Sequence, residues 1–310
     1  MVSIKPHTPA PTRGLDPQAL FAIADLDLRA RVVVEGLWAG LQRSPLAGFS
    51  SEFTEYRPYT PGDDLRYLDW RALARTDRHY LKRFEDETNL RCHLLVDCSR
   101  SMHFGSVGVT KGGYARTLAA TLAYFLLRQR DLVGLAMFAE GLEDMLPARW
   151  RRGQWRHLLA LLERRSQARD TRMERALDQV APLWRRRSLV VIVSDFLSPV
   201  ADWERALGRL AATGHDIRAI QIVDPAERTL DFGKSGVWED VENGRRLYID
   251  PEQARGRYLE RYGTHQQDVK RALQSRGVAH IVAGLDQPLD FVLLEFMRGS
   301  SSSRKLRRRR

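Results

Sequence analysis

The chain has 310 residues, room for about two domains, and 43% of them are hydrophobic, enough for a sizeable core. Its longest apolar stretch, Leu118 to Leu127, includes Thr121 and stops at Arg128, short of the roughly 20 residues a membrane span needs. The net charge of +11 suggests nucleic acid only at first sight: Arg304, Lys305 and Arg307 to Arg310 supply six of those charges, and without them the balance is +5.

The amino terminus carries Pro and Thr with no apolar h-region, so no signal peptide is expected and the cytoplasm is the expected location. Residues 1–15 read as disordered. Cys92 and Cys98 would lie about 20 Å apart along one extended strand, beyond disulfide reach, and neither has zinc-ligand spacing.

Asp16-Pro17 is a cap followed by proline at the first helical position. Leu20, Phe21, Ala24, Leu28, Val32, Leu37, Trp38 and Leu41 continue at helical spacing, which predicts one long helix over 17–42, ended by Ser44-Pro45. Gly48 to Asn89 is a second block. Ser51 to Arg57 alternates like a strand, Pro61-Gly62 fits a type II turn, Leu65 to Ala74 has helical spacing, and Tyr80 to Phe84 is extended. Its charges are dense, but interleaved Phe53, Tyr56, Tyr59, Tyr67, Trp70, Tyr80 and Phe84 argue against a solvated loop. Arg57, Asp64, Arg66, Asp69 and Arg71 either pair with one another or form a partner-docking face; sequence treats the two alike.

Cys92 to Ser101 begins as a buried strand and breaks into a polar turn. Asp97, Ser99 and Ser101 stand there at every second position, able to converge over a strand's carboxyl end, where open α/β sheets bind ligands. An all-oxygen set suits a hard cation, Mg2+ or Mn2+. Beyond it strands and helices alternate: strand 92–97, helix 111–130, strand 132–139, a short edge strand near 144–146, helix 153–166, helix 172–184, strand 188–194, helix 201–213, strand 216–223, strand 278–283 and helix 288–297. This predicts an α/β fold, a doubly wound, mostly parallel sheet with helices on both faces, over residues 91–298. Asn243-Gly244 inside Gly236 to Ile249 predicts a hairpin over 236–250, expected to join residues 16–90 in a small β-rich subdomain. Ser300 to Ser303 reads as a flexible linker to the basic tail, within 299–310.

Asp97-x-Ser99-x-Ser101-Met102 resembles the metal-ion-dependent adhesion site (MIDAS) of von Willebrand factor A domains. The resemblance implies two later partners, a Thr opening a helix and an Asp ending a strand, which Thr171 and Asp195 match. It also implies that Ser99, Ser101 and Thr171 touch the metal, that Asp97 and Asp195 hold its waters, and that one position stays open for a partner's Asp or Glu. The block Glu-Phe-x-Glu-Tyr-Arg-x-Tyr-x-Pro-Gly-Asp-Asp-x-Arg-x-x-Asp-Trp-Arg-x-x-Ala-Arg, from Glu52 to Arg75, resembles the signature of the bacterial DUF58 family. That resemblance spans roughly 30–298 and implies a MoxR-type AAA+ ATPase as partner in chaperone-like work on a client protein. Many members of the family carry two amino-terminal membrane helices, which this chain lacks.

Enzyme readings fare worse. Gly105 to Gly113 looks like a phosphate loop, but no hydroxyl follows Lys111 to hold magnesium. Asp97 as a phospho-acceptor would want Asp where Ser99 stands, and Cys98 with His103 lacks an orienting third group. The expectation is a non-enzymatic, metal-dependent interaction protein. The alternative is a module for anionic surfaces, membrane or nucleic acid, acting through the tail; a solvated appendage is the plainer reading of that tail.

Overall fold

The computed structural model describes residues 15–43, 56–58, 80–82, 90–164, 171–230, 236–239, 246–249 and 251–307. Asp16 opens the first helix as anticipated, its Oδ1 accepting the Gln18 amide at 3.1 Å. The single helix expected over 17–42 is instead two, α1 (Pro17–Phe21) and α2 (Leu26–Arg43). Asp25 explains the break: its carboxylate accepts the Leu28 amide at 2.8 Å and starts the chain afresh. Trp38–Asn89 forms a compact unit of its own, in which β1 (Tyr56–Pro58) pairs antiparallel with β2 (Tyr80–Lys82). The Pro61-Gly62 turn and the 65–74 helix lie outside the described residues.

The other unit is built on a six-stranded sheet. Its strands are β3 (Arg91–Asp97), β4 (Leu132–Phe138), β5 (Leu142–Arg149), β6 (Leu189–Ser194), β7 (Asp216–Val223) and, after the hairpin strands β8 (Gly236–Glu239) and β9 (Arg246–Ile249), β10 (Ala279–Gly284). Their order is β10-β7-β6-β3-β4-β5, and every neighbouring pair is parallel except β4 with β5. β3 and β6 sit in the middle and are buried nearly end to end, which is why they read as unbroken apolar runs. From β3 the chain steps outward to β4 and β5; from β6 it steps the other way, to β7 and then β10. The topological switch point, where such sheets hold ligands, therefore lies between the carboxyl ends of β3 and β6.

Helices α3 (Lys111–Arg128), α4 (Gln154–Leu162), α5 (Met173–Val180), α6 (Val200–Ala212), α7 (Pro225–Thr229), α8 (Pro251–Ser275) and α9 (Leu289–Arg307) complete the fold. Alternation along the strands divides the core. Leu95, Val190, Ile192, Ile217 and Ala219 pack with Trp203 and Leu207 of α6, Leu177 of α5 and Leu273 of α8. Their neighbours Leu94, Val96, Val191 and Val193 are equally buried but point to the other face. A Trp155 indole N–H donating to Asp27 at 2.9 Å ties α2 to α4.

Several boundaries differ from expectation. β5 is eight residues long rather than a short piece near 144–146. The helix expected over 172–184 stops at Val180, leaving Trp184 to stack on the buried His93 at 4.5 Å between ring centroids. α8, 25 residues, was not anticipated; its sequence is strongly charged, although Asp250-Pro251 repeats the Asp-Pro signal of Asp16-Pro17. α9 runs on to Arg307, through the serines read as a linker, because the Arg, Lys and Leu that follow are good helix formers. The β8–β9 hairpin forms as predicted; the block it was expected to join lies largely outside the described residues.

His93 makes stability depend on pH. Burial, with help from Arg91 and His215, lowers its pKa to about 4. The unfolded chain, with a pKa near the ordinary 6.5, binds the proton first as pH falls. Stability should be undiminished above pH 6.5 and drop by about 2–3 kcal/mol on acidification to pH 4. His93→Phe, which keeps the ring stack and removes the proton site, should flatten urea-measured stability over that window; an unchanged slope would assign it to other groups.

Candidate functional site

Asp97 is the last residue of β3 and is 1% exposed. Its Oδ1 accepts the Ser99 amide at 2.9 Å and its Oδ2 accepts the Ser194 hydroxyl at 2.6 Å. The first bond closes the tight turn that carries Ser99 into a one-turn 3-10 helix, Arg100–His103. The second joins the ends of β3 and β6 across the switch point. The Ser99 and Ser101 hydroxyls lie 3.2 Å apart, with Ser99 fully buried.

Asp195 follows β6 directly and is 3% exposed. Its Oδ1 accepts the Leu197 amide at 3.2 Å and its carbonyl accepts the Gln221 side chain at 3.0 Å. The next residue, Phe196, is held at φ +53°, a left-handed conformation that costs a bulky residue about 1–3 kcal/mol. What holds it is visible: its amide donates to Ser194 Oγ at 3.0 Å, its carbonyl lies 2.8 Å from His265 Nε2, and its ring meets the Trp203 edge. Strain of this kind gathers where a fold keeps a site in one shape.

Thr171 arrives from the other side. The neighbouring Arg172 amide donates to the Ala139 carbonyl at 2.7 Å, just past β4, and Phe138 is the register partner of Asp97. The structure thus gathers Asp97, Ser99 and Ser101 in one hydrogen-bonded cluster with Ser194, sets Asp195 on the adjacent strand end, and places Thr171 beside the end of β4, the strand next to β3. Arg57 is on β1, and its side chain, like Asp64, Arg66, Asp69 and Arg71, lies outside the described residues. Arg304, Lys305 and Arg307 are in α9; Arg308, Arg309 and Arg310 lie outside.

One residue at the centre was not foreseen as part of the site. Lys111, the first residue of α3, is fully buried. Its Nζ donates to Asp195 Oδ2 at 2.8 Å and to Glu227 Oε1 at 2.6 Å. Burial disfavours the ammonium, but the two carboxylates outweigh it and hold the lysine pKa above its usual value. Glu227 belongs to α7, where it also closes a capping box with Asp224, and its carbonyl accepts the Tyr258 hydroxyl of α8 at 2.7 Å. Asp224 in turn accepts the Ser106 amide at 2.7 Å and the Ser106 hydroxyl at 2.6 Å, clasping the loop that leads to Lys111. That loop is tight: a Cβ on Gly105 would run into the Val109 carbonyl.

Two signals could have found this group. A lysine at a helix amino terminus opposes the helix dipole and so needs anionic partners, and Asp224-Pro225-Ala226-Glu227 is a capping-box sequence. The same geometry answers the phosphate-loop reading: the Lys111 ammonium is committed to two carboxylates, and the Ser106 amide faces a third. The Cys98 thiol donates to the Phe138 carbonyl at 3.1 Å, on the β4 side of the turn.

Burial and the nearby Asp195 charge raise the Asp97 carboxyl to about 7. Among the described residues no three His, Cys, Asp or Glu side chains are grouped so as to hold a metal ion, so a cation here has to draw on hydroxyls. Among the described residues, too, no helix is long and apolar enough to cross a membrane.

The chain is 32% identical over 279 residues to the uncharacterized protein Rv1480 of Mycobacterium tuberculosis strain H37Rv, covering 87% of each. It matches Mb1516 of Mycobacterium bovis, also named uncharacterized, to the same extent. A solved structure, the conserved hypothetical protein BatB from Bacteroides thetaiotaomicron, aligns with 68% of this chain and 100% of its own, at 13% identity and TM-score 0.44. Residues 55–268 match the family described as "Protein of unknown function DUF58". The signature block, the α/β sheet that follows it and the aligned length agree: the chain belongs to the DUF58 family.

Proposed function

We propose that this chain is a non-enzymatic interaction module of von Willebrand factor A type that binds partners through a divalent cation, Mg2+ or Mn2+. The observation that carries the reading is the buried cluster at the switch point. Asp97 and Asp195 stand out of water at adjacent strand ends, and the Lys111 ammonium, shared between Asp195 and Glu227, leaves carboxylate charge in excess. The Ser99–Ser101 oxygen separation of 3.2 Å is near the roughly 3 Å between adjacent oxygens around magnesium, with bonds of about 2.1 Å. This spacing and the excess carboxylate charge favour the ion. Ser99, Ser101 and Thr171 would hold it, with Asp97 and Asp195 orienting its waters; bound there, it supplies an electrophilic position for a partner's Asp or Glu.

Family resemblance supplies a MoxR-type AAA+ ATPase as partner, the adhesion-site resemblance a client protein offering the carboxylate, and the amino-terminal composition and short apolar runs a cytoplasmic setting. The wild-type chain should bind Mg2+ or Mn2+ by calorimetry, and Asp97→Ala should lose at least about tenfold in affinity. Pull-down of the ATPase should fail in EDTA. Capture indifferent to both chelation and Asp97→Ala would remove the cation from the mechanism. The charge of the 304–310 segment favours a second reading, attachment to an anionic surface, distinguished by steep weakening with salt and no response to chelator.

A further inference from the structure

Lys111 is an unusual neighbour for a cation site, since a buried ammonium and a divalent ion repel each other. Yet the fold invests heavily in placing it. The Ser106–Asp224 clasp fixes the loop before it, the Thr110 hydroxyl caps α3 by accepting the Gly113 amide at 3.0 Å, and the Phe104 ring lies 5.8 Å from Nζ. Glu227 also meets the ammonium, its carboxylate held by the capping box and its backbone carbonyl accepting the Tyr258 hydroxyl. The lysine is therefore a fixed charge shared between one carboxylate of the site, Asp195, and a second, Glu227.

We propose that the Lys111–Glu227 pair sets the cation affinity of the site, the ammonium weakening it and the carboxylate strengthening it. The inference rests on the cation-binding reading above. Its logic is a charge balance. In the loaded site, where the cation itself favours the Asp97 carboxylate, Asp97, Asp195, Glu227 and Lys111 sum to two negative charges, which the divalent ion cancels. Without the lysine there would be three, and the loaded pocket would stay negative and repel an incoming carboxylate. Lys111 thus gives up affinity for the ion so that the loaded site remains able to accept an anionic partner. Asp195, held by Lys111 at Oδ2 and by the Leu197 amide at Oδ1, keeps its orientation throughout.

The test is calorimetric titration of Mn2+ alone into the full chain and two variants with opposite expected signs. Lys111→Gln removes the positive charge and should tighten Mn2+ binding by about tenfold or more. Glu227→Gln leaves the lysine and removes one of its two counter-charges, and should weaken binding by a similar factor. If Lys111→Gln does not fold, the Glu227→Gln arm alone decides the sign. Equal affinity in the variants and the wild type, or weakening in Lys111→Gln, overturns the inference while leaving the cation site standing. Absence of Mn2+ binding in all three overturns both.

Discussion

Replacing Lys111 by methionine should cost about 3–5 kcal/mol of stability, measured by urea unfolding in the absence of divalent cations. The side chain is fully buried and its two partners are 3% and 14% exposed, so the variant strands Asp195 and Glu227 out of water with no counter-ion. Most of the loss comes from those abandoned carboxylates rather than from the attraction itself. Adding Glu227→Gln to Lys111→Met should therefore recover part of the loss, although neither substitution restores a wild-type contact. A loss below about 1 kcal/mol would be the behaviour of a surface pair and would mean that the lysine is solvated.

Trp203→Ala should be comparably damaging, at about 3–5 kcal/mol. Trp203 is 0% exposed, is the largest of the fully buried side chains among the described residues, and packs among residues of β3, β4, β6 and α6. Its indole N–H donates to the Ser198 carbonyl at 3.3 Å and its ring stands edge-on to Phe196 at 5.6 Å. Truncation would open a cavity beneath the strained residue that follows Asp195. Trp203→Phe keeps an aromatic edge there and should be clearly milder. Equal losses for the two variants would show that the indole bond, and not ring packing, supports the loop.

The central strands were legible because burial on both faces forces continuous apolar runs, as in Leu189 to Val193. Asp97, Ser99 and Ser101 were legible because polar groups at every second position, directly after such a run, have few structural uses. Helix ends were less so. Asp25 restarts a helix inside a stretch whose apolar spacing never falters, and Trp184 leaves its helix to stack on His93, a residue 91 positions away in the chain. Neither event is written in local spacing. Lys111 was harder to read for a related reason: its place at a helix amino terminus calls for anionic partners, but these come from the end of β6 and from α7, and nothing near it in sequence names them.

Beyond its local turns, the pocket is closed by bonds between distant parts of the polypeptide. Ser194 to Asp97 spans 97 residues, Ser106 to Asp224 spans 118, and Lys111 to Asp195 spans 84. Such high-contact-order closures come after local structure, because the entropy of drawing together long loops must be met first. A nascent chain emerging from the ribosome holds Asp97 and both serines long before residue 224 exists. The pocket, complete with Lys111, Asp224 and Glu227, therefore forms only after β7 has been synthesised and the strands on either side of the switch point have joined, so that truncated or half-folded copies lack it.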